Sequence, residues 1–435
     1  MKSSMTNKYF NVINLGCRVN LFESNSIINQ MINAGYKFTK DIHKASIFII
    51  NTCSVTMRAD RKVRNLVSRI NKLPNKKILA LIGCFSQINV EFATQNAEII
   101  IGNKFKNKLP ELIAQYNKTH TRVINIVDIS KVNDFEDFGQ RIVCENTRPT
   151  IKIQDGCNLY CTYCLIPFVR GKKRSLEHSK VISTITDLVK RGFYEIILTG
   201  INLVAYNDHG YTFYDLLKDI NNLKGNFRIR VSSVEPFDFS YKIVDLMTSN
   251  PSRFVQDYHI CLQSANNDVL KLMHRKYTVE DFTKLVNYIK SKNPYASVTT
   301  DYIVGYKNET AARHKNSLKN LDKMKLANVN IFPYSVRPKT AGSKIKSEVS
   351  DVEKSKRVKE ITALCNKNTH KYLSKFINKA VIVYFEQSKE KNYQVGHSQY
   401  FFRVYVNTKK TLHPQVHKVK ITKVDKNNRV FGKLS

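Results

Sequence analysis

The chain has 435 residues, 42% of them hydrophobic, and a formal net charge of +36. This content supports a sizeable core and two or three domains, while no apolar run is long enough to cross a bilayer, so we expect no contact with a membrane. The N-terminus also lacks an apolar signal segment, so the sequence predicts a cytoplasmic protein. In that reducing compartment, nine cysteines favour metal ligation over disulfides.

The charge indicates a polyanionic partner, most simply a nucleic acid. The chain has 71 Lys and Arg residues against 35 Asp and Glu residues. An alternative explanation is an AT-rich genome, because abundant Lys, Asn and Ile without Trp is also the composition that such a genome produces.

Residues 1–125 predict a first α/β domain, because strand-like and helix-like segments alternate. The predicted strands are Tyr9–Leu15, Ser46–Asn51, Lys77–Ile82 and Glu98–Ile101. The predicted helices are Phe22–Ala34, closed by Gly35, then Asp60–Leu73, a segment around Phe92–Gln95, and Phe105–Tyr116. The pattern is typical of a parallel sheet covered by helices.

Each of the first three strands runs into a cysteine: Cys17, Cys53 and Cys84. Ligand sites in open α/β sheets lie beyond the carboxyl ends of the strands, so these residues can converge although they are far apart in sequence. Gly16 and Gly83 give the backbone room for tight turns. The alternative is that one or two of the cysteines are ordinary buried residues.

Residues 126–148 are predicted to be a linker, polar and irregular, with an acidic patch at Asp134, Glu136 and Asp137. Cys144 has no partner motif nearby, and we expect it not to be a ligand.

A short loop then carries Cys157, Cys161 and Cys164 in C-x3-C-x2-C spacing. Clustered thiolates select iron–sulfur, zinc or copper(I). A four-iron cluster takes four cysteines, so a triplet leaves one iron open for chemistry. The alternatives are a zinc loop completed by a distant ligand, or plain buried cysteines, but no second C-x2-C or H-x3-H pair follows.

Residues 149–373 repeat a strand–helix unit six times, which predicts a partial (β/α)6 barrel with its active site at the carboxyl ends of the strands. The predicted strands are Thr150–Asp155, Glu195–Thr199, Arg228–Ser233, Tyr258–Gln263, Ser297–Val304 and Asn328–Ser335. The predicted helices are Ser179–Arg191, Phe213–Asn222, Tyr241–Thr248, Val279–Ser291, Ala311–Lys325 and Val352–Asn368. Cys261 and Cys365 are expected to be packing residues.

Residues 374–435 predict a small β-barrel with strands at Ala380–Phe385, Phe401–Val406, Val416–Val424 and Arg429–Leu434. The segment has 13 Lys and Arg residues and 3 Asp and Glu residues, a net charge of 13 − 3 = +10. If Tyr400, Phe401, Phe402 and Tyr405 are exposed, the module can bind RNA through phosphate charge and base stacking. The alternative is that these aromatic side chains fill its own core.

The motifs LGCRVNLFES, INTCSVTMRAD and LIGCFSQ, with the cysteine loop, resemble the methylthiotransferases of the radical S-adenosylmethionine (SAM) class. Tyr163 matches the aromatic residue that this class has before its third cysteine, and the last segment is similar to the family's TRAM module. The resemblance implies two [4Fe-4S] clusters, with Cys157, Cys161 and Cys164 holding the catalytic one and Cys17, Cys53 and Cys84 holding an auxiliary one. It implies that SAM is cleaved reductively, that the resulting radical removes hydrogen from an adenine C–H bond, and that a second SAM supplies the methyl group.

The resemblance also implies that SAM is contacted from the strand ends of the barrel. The candidate cofactor-binding residues are Tyr163, Gly200, Asn202, Ser233, Glu235 and Gln263, with Asp301 and Gly305 on the fifth strand. Each has an alternative role as a strand-terminal turn or cap. Residues 305–310 depart from the family's Gly-Phe-Pro-Gly-Glu-Thr turn, but Asn308 tolerates left-handed geometry, so the turn can persist.

The LGCRVN form resembles the branch that modifies threonylcarbamoyladenosine in the anticodon stem-loop of tRNA. The expected partners are that tRNA, an electron donor such as a flavodoxin or ferredoxin, and a sulfur donor. Arg170, Lys172, Lys173 and Arg174 follow the cluster loop and could pair with RNA phosphates. The alternatives are the same chemistry on isopentenyladenosine or on a ribosomal protein, and a non-catalytic zinc-bearing RNA-binding protein.

Overall fold

A computed structural model describes residues 8–139, 147–390 and 392–435, so Cys144 lies outside the described residues. The chain divides into two compact units. The first comprises Met1–Cys144, Lys152–Lys180 and Ser335–Ser343, and the second comprises Glu145–Ile151, Val181–Tyr334 and Lys344–Ser435. Among the described helices, none has both the length and the apolar character needed to cross a membrane.

A six-stranded parallel sheet forms the first unit, with the strand order β2-β1-β3-β4-β5-β6. Its strands are β1 (Tyr9–Asn14), β2 (Lys37–Phe38), β3 (Ile47–Thr52), β4 (Ile78–Gly83), β5 (Ile99–Ile101) and β6 (Val123–Asn125). Its helices are α1 (Arg18–Asn33), α2 (Met57–Asn71), α3 (Cys84–Ile88), α4 (Val90–Asn96) and α5 (Leu109–Thr119). Every residue of β3 and β4 is buried, as expected for central strands that are covered on both faces.

Local capping explains where α2 begins. The side chain of Thr56 accepts a hydrogen bond from the backbone N–H of Ala59, so the helix starts at Met57 rather than at the predicted Asp60. The helix buries Val63 and Val67 in the core of the unit, while most of its basic side chains stay outside that core.

The middle of the chain supplies ten strands and eight helices among the described residues. The strands are β7 (Thr150–Lys152), β8 (Gln154–Asp155), β9 (Arg174–Ser175), β10 (Glu195–Thr199), β11 (Asn207–Asp208), β12 (Tyr211–Thr212), β13 (Arg228–Val231), β14 (Asp257–His259), β15 (Ser297–Val304) and β16 (Asn328–Pro333). The helices are α6 (Ile166–Arg170), α7 (His178–Lys190), α8 (Phe213–Asn222), α9 (Tyr241–Ser249), α10 (Asn267–Leu272), α11 (Val279–Lys292), α12 (Ala311–Met324) and α13 (Asp351–Ser374).

Six of these strands form the wall of a partial barrel, as the sequence predicts. They lie in two three-stranded sheets, β13-β10-β7 and β14-β15-β16. Isolated parallel bridges, Ile229 with Phe254 and Val234 with Ile260, join the two sheets. The short helices α6 and α10 were not predicted, because five or six residues carry too little periodicity.

The chain ends in a closed barrel with the order β17-β18-β19-β21-β20. Its strands are β17 (Ala380–Glu390), β18 (Tyr393–Ser398), β19 (Arg403–Asn407), β20 (Val416–Val424) and β21 (Val430–Leu434). Strand β18 was missed in the sequence, since Gln394, Gly396 and His397 give it no clear apolar alternation.

Candidate active site

Three cysteines leave adjacent strands of the first sheet at matching positions. Asn14 of β1 pairs with Asn51 of β3, and Thr52 of β3 pairs with Gly83 of β4. Cys17, Cys53 and Cys84 therefore follow neighbouring strands at the same edge of the sheet.

The thiols of these residues are close enough to interact electrostatically. Burial, followed by the nearby thiol groups of Cys84 and Cys17, raises the pKa of Cys53 to about 12. Such a thiol stays protonated at neutral pH unless a cation compensates its charge, and metal ligation supplies that cation. No disulfide joins the eight cysteines in the described part of the chain.

The backbone at the third cysteine requires glycine. Gly83 has a φ of +98°, and a Cβ there would lie 2.8 Å from Asn51 Oδ1 and 2.9 Å from the Thr52 carbonyl oxygen. Cys84 then begins α3, and Asn103 Nδ2 donates a hydrogen bond of 3.3 Å to its Sγ. An N–H group directed at sulfur is one of the features that tune iron–sulfur ligands.

A backbone hydrogen bond joins the two ends of the loop that carries the second cysteine triplet. Cys157 donates its backbone N–H to the Gly171 carbonyl at 3.0 Å. Gly156 has a φ of +68°, and a Cβ there would lie 1.8 Å from the Lys172 carbonyl oxygen, so only glycine fits. Three cysteines and the half-buried Tyr163 lie within this one loop.

The two cysteine groups belong to the same compact unit and approach one another through α6. Cys84 packs in one buried cluster with Leu165 and Val169, which directly follow the loop of Cys164. The residues present therefore fit two clusters that are each held by three thiolates.

A network of buried charges lies beside both groups. Glu23 accepts hydrogen bonds from Lys106, Lys152 and Arg170 at 2.5, 3.0 and 3.0 Å, and all four side chains are at most 1% exposed. Burial alone would raise the pKa of Glu23, but Arg170 and the two lysines hold it well below its usual value. Asp155, next to the cysteine loop, also accepts from Lys152 and Arg170.

Two asparagines connect this network to the cysteines of the sheet. Arg170 donates to Asn20 Oδ1 at 2.7 Å, and Asn20 lies on the first turn of α1 directly after Cys17. Lys106 donates to Asn103 Oδ1 at 2.9 Å, and Asn103 donates to Cys84. The network thus reaches the surroundings of two of the three cysteines.

The prediction that Arg170 and Arg174 pair with RNA phosphates was wrong. Both are buried, Arg170 in the network above and Arg174 with a hydrogen bond to the Arg170 carbonyl. The adjacent Lys172 and Lys173 are exposed, as the prediction required. The two arginines belong to α6 and β9, whereas the two lysines lie in the turn that connects these elements.

The candidate SAM residues of the second unit lie just beyond barrel strands. Gly200 and Asn202 follow β10, Ser233 and Glu235 follow β13, and Gln263 follows β14. Gln263 has a left-handed φ of +64° and donates its backbone N–H to the Asp301 carbonyl. Their contacts with SAM remain a prediction.

Glu235 has a partner that sequence reasoning missed. It forms an ion pair with Arg275, which is 2% exposed and also donates to the Cys261 carbonyl at 3.2 Å. Burial raises the pKa of Glu235, and Arg275 only partly offsets this effect. The two residues are forty positions apart in the chain, so no local pattern pairs them.

The turn after β15 persists without the family's proline and second glycine. Asn308 has a φ of +60° and Gly305 a φ of +72°, which confirms that asparagine supplies the left-handed position. Glu309 accepts hydrogen bonds from the backbone N–H groups of Gly305 and Tyr306, and Thr310 caps α12.

His314 in α12 lies between two carboxylates. Its Nδ1 is 3.3 Å from Glu309 Oε1 and its Nε2 is 2.7 Å from Glu360 Oε2. Burial would lower the pKa of His314, but the two neighbouring carboxylates raise it above its ordinary value.

The aromatic residues of the terminal barrel are not the exposed stacking platform that was considered. Tyr405 is 7% exposed, and Tyr400 and Phe402 pack on Phe376, two residues after the end of α13. Phe401 stacks on His397. The module uses these rings for its own packing.

Two family models match the chain. The one described as "Uncharacterized protein family UPF0004" matches residues 9–102, and the one described as "Radical SAM superfamily" matches residues 151–321.

Curated relatives match most of the chain. A threonylcarbamoyladenosine tRNA methylthiotransferase MtaB from Aquifex aeolicus is 32% identical and covers 83% of this chain and 88% of its own length. The protein of the same name from Bacillus subtilis is 31% identical and covers 94% of this chain and 92% of its own length. A tRNA-2-methylthio-N(6)-dimethylallyladenosine synthase from Staphylococcus haemolyticus is 31% identical over 87% of this chain and 75% of its own length.

Solved structures share the fold. The radical SAM methyltransferase TsrM from Kitasatospora setae, with cobalamin and a [4Fe-4S] cluster bound, has a TM-score of 0.58 over 78% of this chain and 77% of its own. Its sequence identity is 14%, so the similarity concerns the fold alone.

Proposed function

This chain belongs to the radical-SAM tRNA methylthiotransferases, and we propose that it adds a methylthio group to threonylcarbamoyladenosine next to the anticodon. Family membership makes it an enzyme that uses SAM and [4Fe-4S] clusters, which removes the non-catalytic zinc protein from consideration. The choice of nucleoside is supported by the LGCRVN motif and by the names of the relatives from Aquifex and Bacillus.

The proposal rests on one observation above all: both cysteine triplets belong to one compact unit and approach each other where Cys84 packs on α6. We assign the catalytic cluster to Cys157, Cys161 and Cys164. We assign the auxiliary cluster to the three cysteines at the strand ends, Cys17, Cys53 and Cys84. When bound, the clusters and SAM supply the radical chemistry that replaces an unactivated C–H bond, which acid–base groups cannot reach.

The protein's own residues prepare and orient these groups. Gly156 and Gly83 set the backbone from which the cysteines project, and Asn103 directs an N–H group at Cys84. We assign SAM contacts to residues at and beyond the barrel strand ends and in the cysteine loop: Tyr163, Gly200, Asn202, Ser233, Glu235 and Gln263.

The terminal barrel is proposed to hold the tRNA anticodon stem-loop through its net charge of +10, which is the excess of 13 basic over 3 acidic residues in 374–435. A flavodoxin or ferredoxin is the proposed electron donor, and a separate compound supplies sulfur. We expect the enzyme to act in the cytoplasm, because its tRNA substrate is there.

Nucleoside mass spectrometry tests the substrate. Anaerobically reconstituted protein is incubated with SAM, a reductant, a sulfur source and tRNA that lacks methylthio groups. A methylthio group on threonylcarbamoyladenosine supports the proposal, and the matched control is tRNA that also lacks the threonylcarbamoyl group.

A second candidate substrate is isopentenyladenosine, because the relative from Staphylococcus haemolyticus is as similar in identity as the one from Bacillus. Methylthio product on isopentenyladenosine alone would overturn the choice of nucleoside and keep the reaction. Deoxyadenosine release without any methylthio nucleoside would direct attention to a ribosomal protein substrate.

A further inference from the structure

Three side chains of different chemistry converge on one face of the β14–β15 sheet. His259 ends β14, Cys261 follows two residues later, and Asp301 lies on β15. One ligand atom from each lies within 4.8 Å of the other two. All three belong to the second unit, whereas both cysteine triplets belong to the first.

The sheet register explains this convergence. His259 pairs with Thr299 in the parallel ladder, so residues two positions further along each strand continue on the same face. The alternate residues Ile260, Val298 and Tyr302 are fully buried on the other side. The three ligand types therefore share a face for reasons of strand periodicity, and forty residues separate Cys261 from Asp301.

The spacing suits a tetrahedral metal. Zn–N and Zn–O bonds of about 2.0 Å and a Zn–S bond of about 2.3 Å place neighbouring ligand atoms about 3.3–3.6 Å apart. His259 Nε2 already lies 3.3 Å from Asp301 Oδ1. The third ligand, Cys261 Sγ, lies within 4.8 Å of the other two ligand atoms, so a side-chain rotation that moves it by about 1.3 Å or less brings it to the ideal separation of about 3.5 Å.

A second layer of contacts orients the ligands. Thr299 Oγ1 lies 2.8 Å from His259 Nδ1, which directs Nε2 at the site, and Asn330 donates to Asp301 Oδ1 at 3.0 Å. The Tyr277 hydroxyl donates to the Cys261 carbonyl at 2.8 Å and restrains its backbone. Metal-binding histidines and carboxylates are held in this way by residues behind them.

The site is reachable from solvent. The side chains of His259 and Asp301 are 11% and 27% exposed, so an ion can enter and a fourth position stays open. One nitrogen, one sulfur and one oxygen form a ligand set for zinc and similar divalent ions, whereas iron–sulfur clusters are held mainly by thiolates.

We propose that His259, Cys261 and Asp301 form a third metal site of this protein, which binds one zinc ion with an open fourth position for water or an oxygen ligand. The site uses none of the six cysteines assigned to the clusters, and one of its ligands, Asp301, is also a candidate SAM contact. The competing explanation is a His–Asp ion pair beside a packed thiol that binds no metal.

The test uses full-length protein with both clusters in place. It is incubated with zinc chloride, passed through a desalting column and analysed for zinc and iron by plasma mass spectrometry. X-ray absorption at the zinc edge then identifies the ligands, and the cluster irons do not interfere. We expect one zinc per chain with one sulfur at about 2.3 Å and nitrogen or oxygen ligands at about 2.0 Å.

Four variants separate the site from other thiols. Cys261→Ala and His259→Ala are expected to lose the zinc while keeping the iron, which shows that they fold. Cys365→Ala, a buried cysteine of α13 in the same unit, is the matched control and is expected to keep it. Thr299→Val is expected to weaken zinc binding roughly 10–100-fold, since it removes only the contact behind His259.

Three results would overturn the proposal. The first is a wild-type protein without zinc after desalting. The second is a zinc shell of three or four sulfurs, which would place the ion in vacant cluster cysteines. The third is equal zinc loss in Cys261→Ala and Cys365→Ala.

Discussion

The buried ion pairs of Arg170 stabilise the first unit, and the loss of stability on removing the guanidinium group can be worked out from its contacts. Its side chain is 1% exposed and donates to Asn20, Glu23 and Asp155. In Arg170→Met the side chain keeps its length but both carboxylates lose a buried positive partner. Breaking one side of a buried ion pair costs about 3–5 kcal/mol.

The lower end of that range applies here. Glu23 keeps Lys106 and Lys152, and Asp155 keeps Lys152, so neither carboxylate is left alone. A loss of about 3 kcal/mol corresponds to roughly 150-fold faster exchange of amides that open only when the first unit unfolds.

Hydrogen exchange followed by mass spectrometry measures this effect on peptides from β8 and α1. The control is Arg191→Met, which removes a 34% exposed arginine that follows α7 directly and pairs with Asp187 of that helix. Such surface pairs contribute at most about 1 kcal/mol. Peptides from α11, in the second unit, provide an internal reference. A difference of less than about tenfold between the two variants would refute this reasoning.

Three further predictions concern the cysteine loops and a titrating histidine. Gly156→Ala is expected to lose about half of the bound iron, because its Cβ cannot fit beside the Lys172 carbonyl. Gly192→Ala, at a similar φ of +83° with open space around it, is the control and should keep its iron. The iron content of each purified variant tests this prediction. Asn103→Leu removes the N–H group directed at Cys84 and should lower the reduction potential of the auxiliary cluster by about 40 mV, the equivalent of about 1 kcal/mol. A reduction monitored by EPR measures this potential, and an unchanged value would contradict the prediction. Because the pKa of His314 is raised on folding, its stabilising contribution is complete below about pH 6.5 and is lost as the pH rises through the folded-state value. His314→Gln should therefore lower the melting temperature more at pH 6 than at pH 9, and an equal loss at both would count against the assignment.

Long strands of the barrel could be predicted from the sequence because their apolar runs and flanking turns are strong signals. Glu195–Thr199 and Ser297–Val304 have the boundaries that the pattern predicts. The strand β18 could not be predicted, since a barrel strand with glycine and polar residues has no distinctive periodicity.

The environment of the sites was less accessible to sequence reasoning. Arg170 and Lys172 look alike in a basic segment, and only the fold buries one and exposes the other. The pairing of Glu235 with Arg275, like the approach of Cys261 to Asp301, depends on tertiary contacts between residues forty positions apart. Cys261 was predicted to be a packing residue because a single cysteine in a strand shows no partner.

The assignment of the two clusters is tested by measuring two products in one reaction. A variant with Cys17, Cys53 and Cys84 all changed to alanine should keep four of about eight irons and still cleave SAM to deoxyadenosine, but it should form no methylthio nucleoside. The matching variant at Cys157, Cys161 and Cys164 should form neither product. Methylthio product from the first variant, or deoxyadenosine from the second, would contradict the assignment of the two clusters.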